Sequence, residues 1–248
     1  MSNKNSKRAI GMKRFFRIFF SRGWVTKICF GIIAAFVFIA IFAPVLTQYT
    51  PYEQNLRYIL ANPSSEHLLG CDNIGRDTLT RLLFGARVSL ITGLLSSIWA
   101  AVVGTSIGLI AGYVGGWLNS FVMRFTDAMI AIPPIIFTMV LSTMVTGNLM
   151  GISLVIGVSI IPSYIRMVNG LVISLRENDY VTASNLIGQK QLVIMFRHLL
   201  PNCLASLIVT FTMNVGTAIM LESTLSYLGV GIIPPTPAWG VMVSEGYK

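Results

Sequence analysis

Residues 28–46 read ICFGIIAAFVFIAIFAPVL, 19 positions without one charged side chain. A bilayer crossing needs about 20 mostly apolar residues, and this run is read as the first. Before it lies a basic arm, residues 1–27, which holds eight of the chain's 18 Lys and Arg residues: Lys4, Lys7, Arg8, Lys13, Arg14, Arg17, Arg22 and Lys27. Phe15, Phe16, Phe19, Phe20 and Trp24 are interleaved with them. Cations mixed with aromatics suit a cytoplasmic arm lying against anionic headgroups. A signal peptide shares the basic-then-apolar order. Its apolar core is shorter, however, and a small-residue cleavage site follows it, which is not seen after Leu46.

Composition agrees with this start. Of 248 residues, 54% are apolar and only 11% are charged, and the mean hydropathy is +0.73. Such a chain has too little polar surface to cover itself in water. That excludes a soluble enzyme, a disordered protein and a small disulfide-stapled module. The formal charge of +9 is concentrated in the arm instead of on a folded basic face, so no nucleic-acid partner is expected.

Outward from the first crossing, residues 47–87 are hydrated. Glu53, Glu66, Asp72 and Asp77 balance Arg57, Arg76, Arg81 and Arg87. Four more apolar runs follow, at about 88–112, 128–145, 149–172 and 199–220. The second crossing carries Gly104 and Gly108 on one face, a spacing that lets helix backbones approach closely. The third contains Pro133-Pro134, and the fourth is expected to break at Pro162, because each proline removes a backbone donor. Basic residues in short loops place the N-terminus inside, with 113–127 and 173–198 also inside. Residues 47–87, 146–148 and 221–248 then lie outside.

Little in the chain suggests catalysis. His67 and His198 have no second ligand at helical spacing, and there is no phosphate-binding GxxxxGK[ST] loop. Cys29, Cys71 and Cys203 are isolated and are read as buried small hydrophobes. Met129, Met139, Met144, Met150 and Met167 are irregularly spaced and are read as packing in lipid rather than a soft-metal site. No enzyme activity, cofactor or metal site is expected. Arg76 and Asp77 either shape an outer gate or cap a helix before the second crossing, and the cap is preferred. Asp127 and Glu222 lie at membrane edges, where an ionisable group suggests function. Asp127 is expected either to act there or to pair with Arg124. Glu222 is a candidate for the translocation path near its outer mouth.

The segment from Ser174 to Asn202, SLRENDYVTASNLIGQKQLVIMFRHLLPN, is the most polar stretch of the second half. A short helix is expected from Tyr180 to Leu186, with Asp179 as N-cap and Gly188 ending it. A second amphipathic piece, 192–200, leads to Pro201 in the first turn of the next crossing. Ala183, Ser184 and Gly188 give a compact surface that fits a groove on another protein.

This stretch resembles the cytoplasmic coupling loop of binding-protein-dependent ABC importer permeases. The resemblance rests on Asp179-Tyr180-Val181-Thr182-Ala183-Ser184, then Gly188, then His198-Leu199-Leu200-Pro201-Asn202. Two further segments resemble the dipeptide, oligopeptide and nickel class, and its C-type subunit in particular. One is Leu69-Gly70-Cys71-Asp72-Asn73-Ile74-Gly75-Arg76-Asp77, followed by Arg81 to Leu90. The other is Leu225 to Gly231, followed by Pro234-Pro235-Thr236-Pro237-Ala238-Trp239-Gly240.

The resemblance implies an all-α polytopic membrane protein like the permeases of type I ABC importers, with five crossings and a cytoplasmic coupling helix. Its parts are the arm 1–27, the first crossing 28–46, an extracytoplasmic loop 47–87 and a permease core 88–248 with its coupling loop at 173–198. It also implies partners: a second permease subunit, two cytoplasmic ATPase subunits, an extracytoplasmic solute-binding protein and the lipid of the cell membrane. Asp179, Tyr180, Thr182, Ala183, Ser184, Gly188, His198 and Pro201 would couple to the ATPase. Thr182 replaces the family's Glu and Ser184 its second Ala. A lost surface charge pair is worth roughly 0–1 kcal/mol, so docking is weakened rather than abolished. A sixth crossing is expected after Gly240 in this class, and the end at Lys248 is read as a truncated C-terminus. Di- or oligopeptides are the expected solutes. Nickel or a metal chelate, a secondary transporter and a non-transporting remnant are the alternatives.

Overall fold

A computed structural model describes residues 23–247, so all but the last residues of the basic arm fall outside the described part. The helices are α1 (Trp24–Leu46), α2 (Thr78–Val114), α3 (Gly116–Ala131), α4 (Pro134–Ser142), α5 (Leu149–Arg176), α6 (Asp179–Leu186), α7 (Gln191–Ile194), α8 (Leu200–Tyr227) and α9 (Trp239–Tyr247). Four long apolar helices can each cross a bilayer: α1, α2, α5, and the continuous run from α7 through α8. The bent pair α3 and α4 makes a fifth span when taken together. The protein is thus an all-α polytopic membrane protein. Among the described residues the only strand-like feature is an isolated bridge between Cys71 and Asp77.

Local chemistry sets the helix ends. The Asp77 carboxylate accepts from the Thr80 amide at 2.7 Å, and α2 starts there rather than at Val88. A cap supplies an acceptor for one of the orphan donors of a helix's first turn. The preferred reading of Asp77 as a cap therefore holds, and the helix it caps is the second crossing itself. The third crossing, where Pro133-Pro134 signals a break, is two helices, α3 and α4. Ile132 is extended, Pro133-Pro134 offers no donor, and the axes of α3 and α4 meet at 87°. The residue before a proline is driven out of the helical region, so the pair turns the chain.

The expected break at Pro162 does not occur, and α5 continues through it. It packs closely against α2 there. A Cβ on Gly104 would lie 2.6 Å from the Tyr164 Cβ, and one on Gly108 would lie 2.8 Å from the Ile165 carbonyl oxygen. From the other side, a Cβ on Gly157 would lie 3.0 Å from the Ser96 carbonyl oxygen. The Gly104/Gly108 pair is thus the seam between the two longest-packed crossings. α1 is different: only Ala43 is buried in it, and Cys29 is exposed, against the expectation that it is buried. Cys71 and Cys203 are buried as expected, and burial pushes the Cys71 thiol above its ordinary value.

Two buried clusters divide the bundle. One joins Ala100, Ile152, Ile156, Tyr164, Ala218 and Leu225 to Ala238 and Val241 near α9. The other joins Leu109, Tyr113, Val168 and Val172 to Val181, Ile194, Met195 and Leu199. The loop segments sort accordingly. At one end the Gly147 amide donates to the Gly231 carbonyl at 3.1 Å. At the other, the Arg176 guanidinium donates to the Tyr113 carbonyl at 3.2 Å.

The first of these ends is held by charge. The Arg76 Nε and Arg81 Nη1 atoms each donate to Asp72 Oδ2 at 2.6 Å. The same two arginines reach Glu245 on α9, at 3.0 and 2.6 Å. Both arginine side chains are only 2% exposed. Burial alone would favour the neutral Asp72 acid. Hydrogen bonds from the Arg76 and Ile74 amides and from the Arg76 guanidinium outweigh it, and hold the carboxyl below its ordinary value. α9 also lies so close to α8 that a Cβ on Gly240 would sit 2.1 Å from the Ser223 carbonyl oxygen. Only glycine permits that approach.

Candidate coupling site

The short helix α6 stands at the end of the bundle opposite Glu245. Its N-cap is Asn178, not Asp179, and no side chain caps it. Asp179 instead occupies the first turn, where its charge favours the positive end of the helix dipole. The C-terminal end is as expected. Gly188 takes φ +75°, its amide donates to the Asn185 carbonyl, and the Gln189 amide donates to Ser184. These paired bonds form a Schellman motif, which needs a left-handed residue just past the helix.

Three contacts fasten α6 to the crossings. Val181 is fully buried in the second cluster. The Tyr113 hydroxyl at the end of α2 donates to the Asn185 side-chain oxygen at 3.1 Å. Near the start of α8, the Asn202 side-chain amide donates to the Tyr180 hydroxyl at 3.4 Å and to the His198 carbonyl at 2.6 Å. The Tyr180 and His198 rings lie 6.5 Å apart.

The His-x-x-Pro-Asn pattern thereby gains a physical meaning. Pro201 has no N–H to give the Arg197 carbonyl, and the preceding turn, Met195–Leu199, widens to a π-turn. Asn202 then satisfies the His198 carbonyl with its side chain. The expected separate amphipathic piece at 192–200 is instead the start of one continuous helix into α8.

What remains free is one face. Thr182 and Ala183 are exposed, while Ser184 is partly covered and donates its hydroxyl to the Tyr180 carbonyl at 2.7 Å. Leu186 is 83% exposed and Ile187 86% exposed. A Cβ on Gly188 would meet nothing within 4 Å. The expected coupling residues therefore divide. Tyr180, His198 and Pro201 belong to the attachment, and Thr182, Ala183 and Gly188 belong to the open face. Sequence reasoning missed Tyr113 and Asn185, which join segments 72 positions apart without a local signal.

Glu222 lies far along α8 from this site. It is fully buried, and its carboxylate accepts from the Ser89 hydroxyl of α2 at 2.8 Å and from the Ser226 hydroxyl at 2.7 Å. Asp127 pairs with Arg166 of α5 and not with Arg124, one turn back on its own helix.

A bundle of apolar crossings with a short, partly exposed helix at one end fits a membrane permease. Residues 104–247 match the family described as binding-protein-dependent transport system inner membrane component. Residues 12–63 match the N-terminal transmembrane domain of oligopeptide transport permease C. The chain belongs to the binding-protein-dependent transport permease family.

Its relatives include the dipeptide transport system permease protein DppC of Haemophilus influenzae, 40% identical over 91% of this chain and 78% of the relative. DppC of Alkalihalophilus pseudofirmus is 41% identical over 86% of this chain and 70% of the relative. The oligopeptide transport system permease protein OppC of Bacillus subtilis is 32% identical over 99% of this chain and 80% of the relative.

Proposed function

We propose that this chain forms half of the pore of an ATP-driven importer for di- and oligopeptides. A second permease subunit completes the pore, two cytoplasmic ATPase subunits drive it, and an extracytoplasmic binding protein delivers the solute. The basic arm and α6 lie on the cytoplasmic side of the cell membrane. The similarity to dipeptide and oligopeptide permeases supports the solute class.

One observation carries the mechanism. α6 is fixed to α2 and α8 through Val181, Asn185 and Tyr180, while Thr182, Ala183 and the Leu186–Gly188 tip stay open. A rigid helix held on one side and bare on the other transmits displacement from a protein that grips the bare side. ATP and the loaded binding protein must both favour the same pore state for this to drive transport. Glu222, held by Ser89 and Ser226, borders the outer part of the solute path in this reading.

The test is bulk on the open face. Ala183→Arg, in the chain assembled with its partner subunits, is expected to leave ATP hydrolysis running and cut peptide uptake at least tenfold. Uptake equal to wild type contradicts docking through α6. Uptake that persists without ATP on an ion gradient alone points to a secondary transporter.

A further inference from the structure

The exposed face of α5 does not suit lipid. Ser163, Arg166, Gly170 and Ser174 follow one another along one side of this crossing, and all four are exposed. Arg166 lies about 15 Å along the axis from Arg176, within the candidate span Leu149–Arg176. It pairs with Asp127 of α3, and the two side chains are 51% and 56% exposed. Charged groups at membrane depth face protein or a water-filled cavity, not hydrocarbon. A cavity of about 250 Å³ opens one helical turn away, bordered by Ser163 three residues before Arg166 and by Ile130 three residues after Asp127, while the pair itself does not line it. Ser159, Pro162 and Ser163 line it from α5, and Ile132 and Pro134 line it from the α3–α4 bend. Pro162 offers no amide to the Val158 carbonyl, and Pro133-Pro134 leave further carbonyls without helical donors. Irregular backbone of this kind is tolerated where it is buried in protein or borders water.

We propose that Asp127 and Arg166 are solute-contacting groups of the translocation path, which rests on the importer reading above. Arg166 takes a solute carboxylate and Asp127 takes a solute ammonium. The pairing selects a zwitterion, such as an unblocked peptide. In the empty state each charge satisfies the other. A solute carrying both charges replaces the pair and leaves neither unmatched. A simple anion or cation would strand one of the two at membrane depth. The guanidinium also offers a planar, two-pronged fit to a carboxylate.

The test uses the complete complex in proteoliposomes, with uptake of radiolabelled dialanine and ATP hydrolysis measured together. Arg166→Gln and Asp127→Asn are each expected to lower uptake at least tenfold. Hydrolysis stimulated by the loaded binding protein should stay within twofold of wild type. The exchange Asp127→Arg with Arg166→Asp keeps the α3–α5 attraction and is expected not to restore uptake. Restoration to within twofold of wild type shows a structural strap and overturns the proposal, as do single variants with unchanged uptake.

In a Cys29→Ser background, Ser163→Cys should react with a membrane-impermeant methanethiosulfonate, and dialanine should slow that reaction during turnover. A thiol unreactive in every state places this face against protein or lipid and overturns the assignment. A wild-type complex that moves no dialanine on ATP overturns the importer reading itself, and is seen before any variant is compared.

Discussion

Two sites in this molecule pair arginine with a carboxylate across distant segments, and they are built in opposite ways. Asp72, Arg76, Arg81 and Glu245 form a closed cluster whose arginine side chains are 2% exposed. Asp127 and Arg166 form a single pair in which both side chains are about half exposed. The closed cluster gives every carboxylate at least two arginine contacts and ties α9 to the segment before α2. The open pair is bonded once, between two candidate crossings and one helical turn from a cavity. The closed cluster therefore fixes shape, while the open pair remains available to another molecule.

The comparison is tested most severely at Glu245. Glu245→Ala leaves two buried guanidinium groups short of partners, and breaking a buried pair costs about 3–5 kcal/mol. Release of α9 should show as rapid proteolysis near Trp239 in detergent. An unchanged cleavage pattern would remove the structural role of the cluster.

The next effect concerns which exposed face meets lipid. Ile33 on α1 is 62% exposed. Ile33→Arg should weaken membrane insertion by about 2.5–3.5 kcal/mol, the usual cost of arginine at mid-helix. Gly170→Arg on the α5 face has open space and should insert with much less penalty in the assembled complex. Equal penalties would mean that both faces see hydrocarbon.

Acid gives a smaller effect with a defined sign. The folded Asp72 carboxyl is held below its ordinary value. Its stabilising contribution is therefore complete above the unfolded Asp value of about 3.9, and disappears as pH falls through the lower folded value. Thermal unfolding of the α9 end should stay level between neutral pH and about pH 5 and decline only below the ordinary Asp value. A decline centred near neutral pH would assign the control to another group.

The smallest effect belongs to the open pair. Asp127→Asn should change folding stability by less than Glu245→Ala does, because both side chains of the open pair are about half exposed. A loss as large as that of Glu245→Ala would erase the distinction between the two sites.

The sequence displays the features that depend on composition over a whole turn or more. Five apolar runs, the Gly104/Gly108 seam and the left-handed stop at Gly188 were all legible, because each is written in neighbouring residues. The 87° bend was only half legible. Pro133-Pro134 announces a break but not its angle, which depends on how α3 and α4 each pack against α5. The passage of α5 through Pro162 was misread, and the glycines it packs against there, Gly104 and Gly108, belong to another helix. Glu245 carries no local signal, since its two arginines are more than 160 positions away. Asn185 went unnoticed for the same reason, its partner being Tyr113. Apolar pattern is local information. Which polar atoms finally meet is decided by the assembled bundle.

The attachment of α6 has a mechanical consequence. Tyr180 hangs from the foot of α8, and Asn185 hangs from the foot of α2, one helical turn and a residue further along. A push on this short crossbar is shared at once between two columns on opposite ends of it. Pressure along its length slides both feet the same way, whereas a twist lifts one foot and lowers the other. The bundle is thus built to answer differently to a shove and to a turn of the wrist.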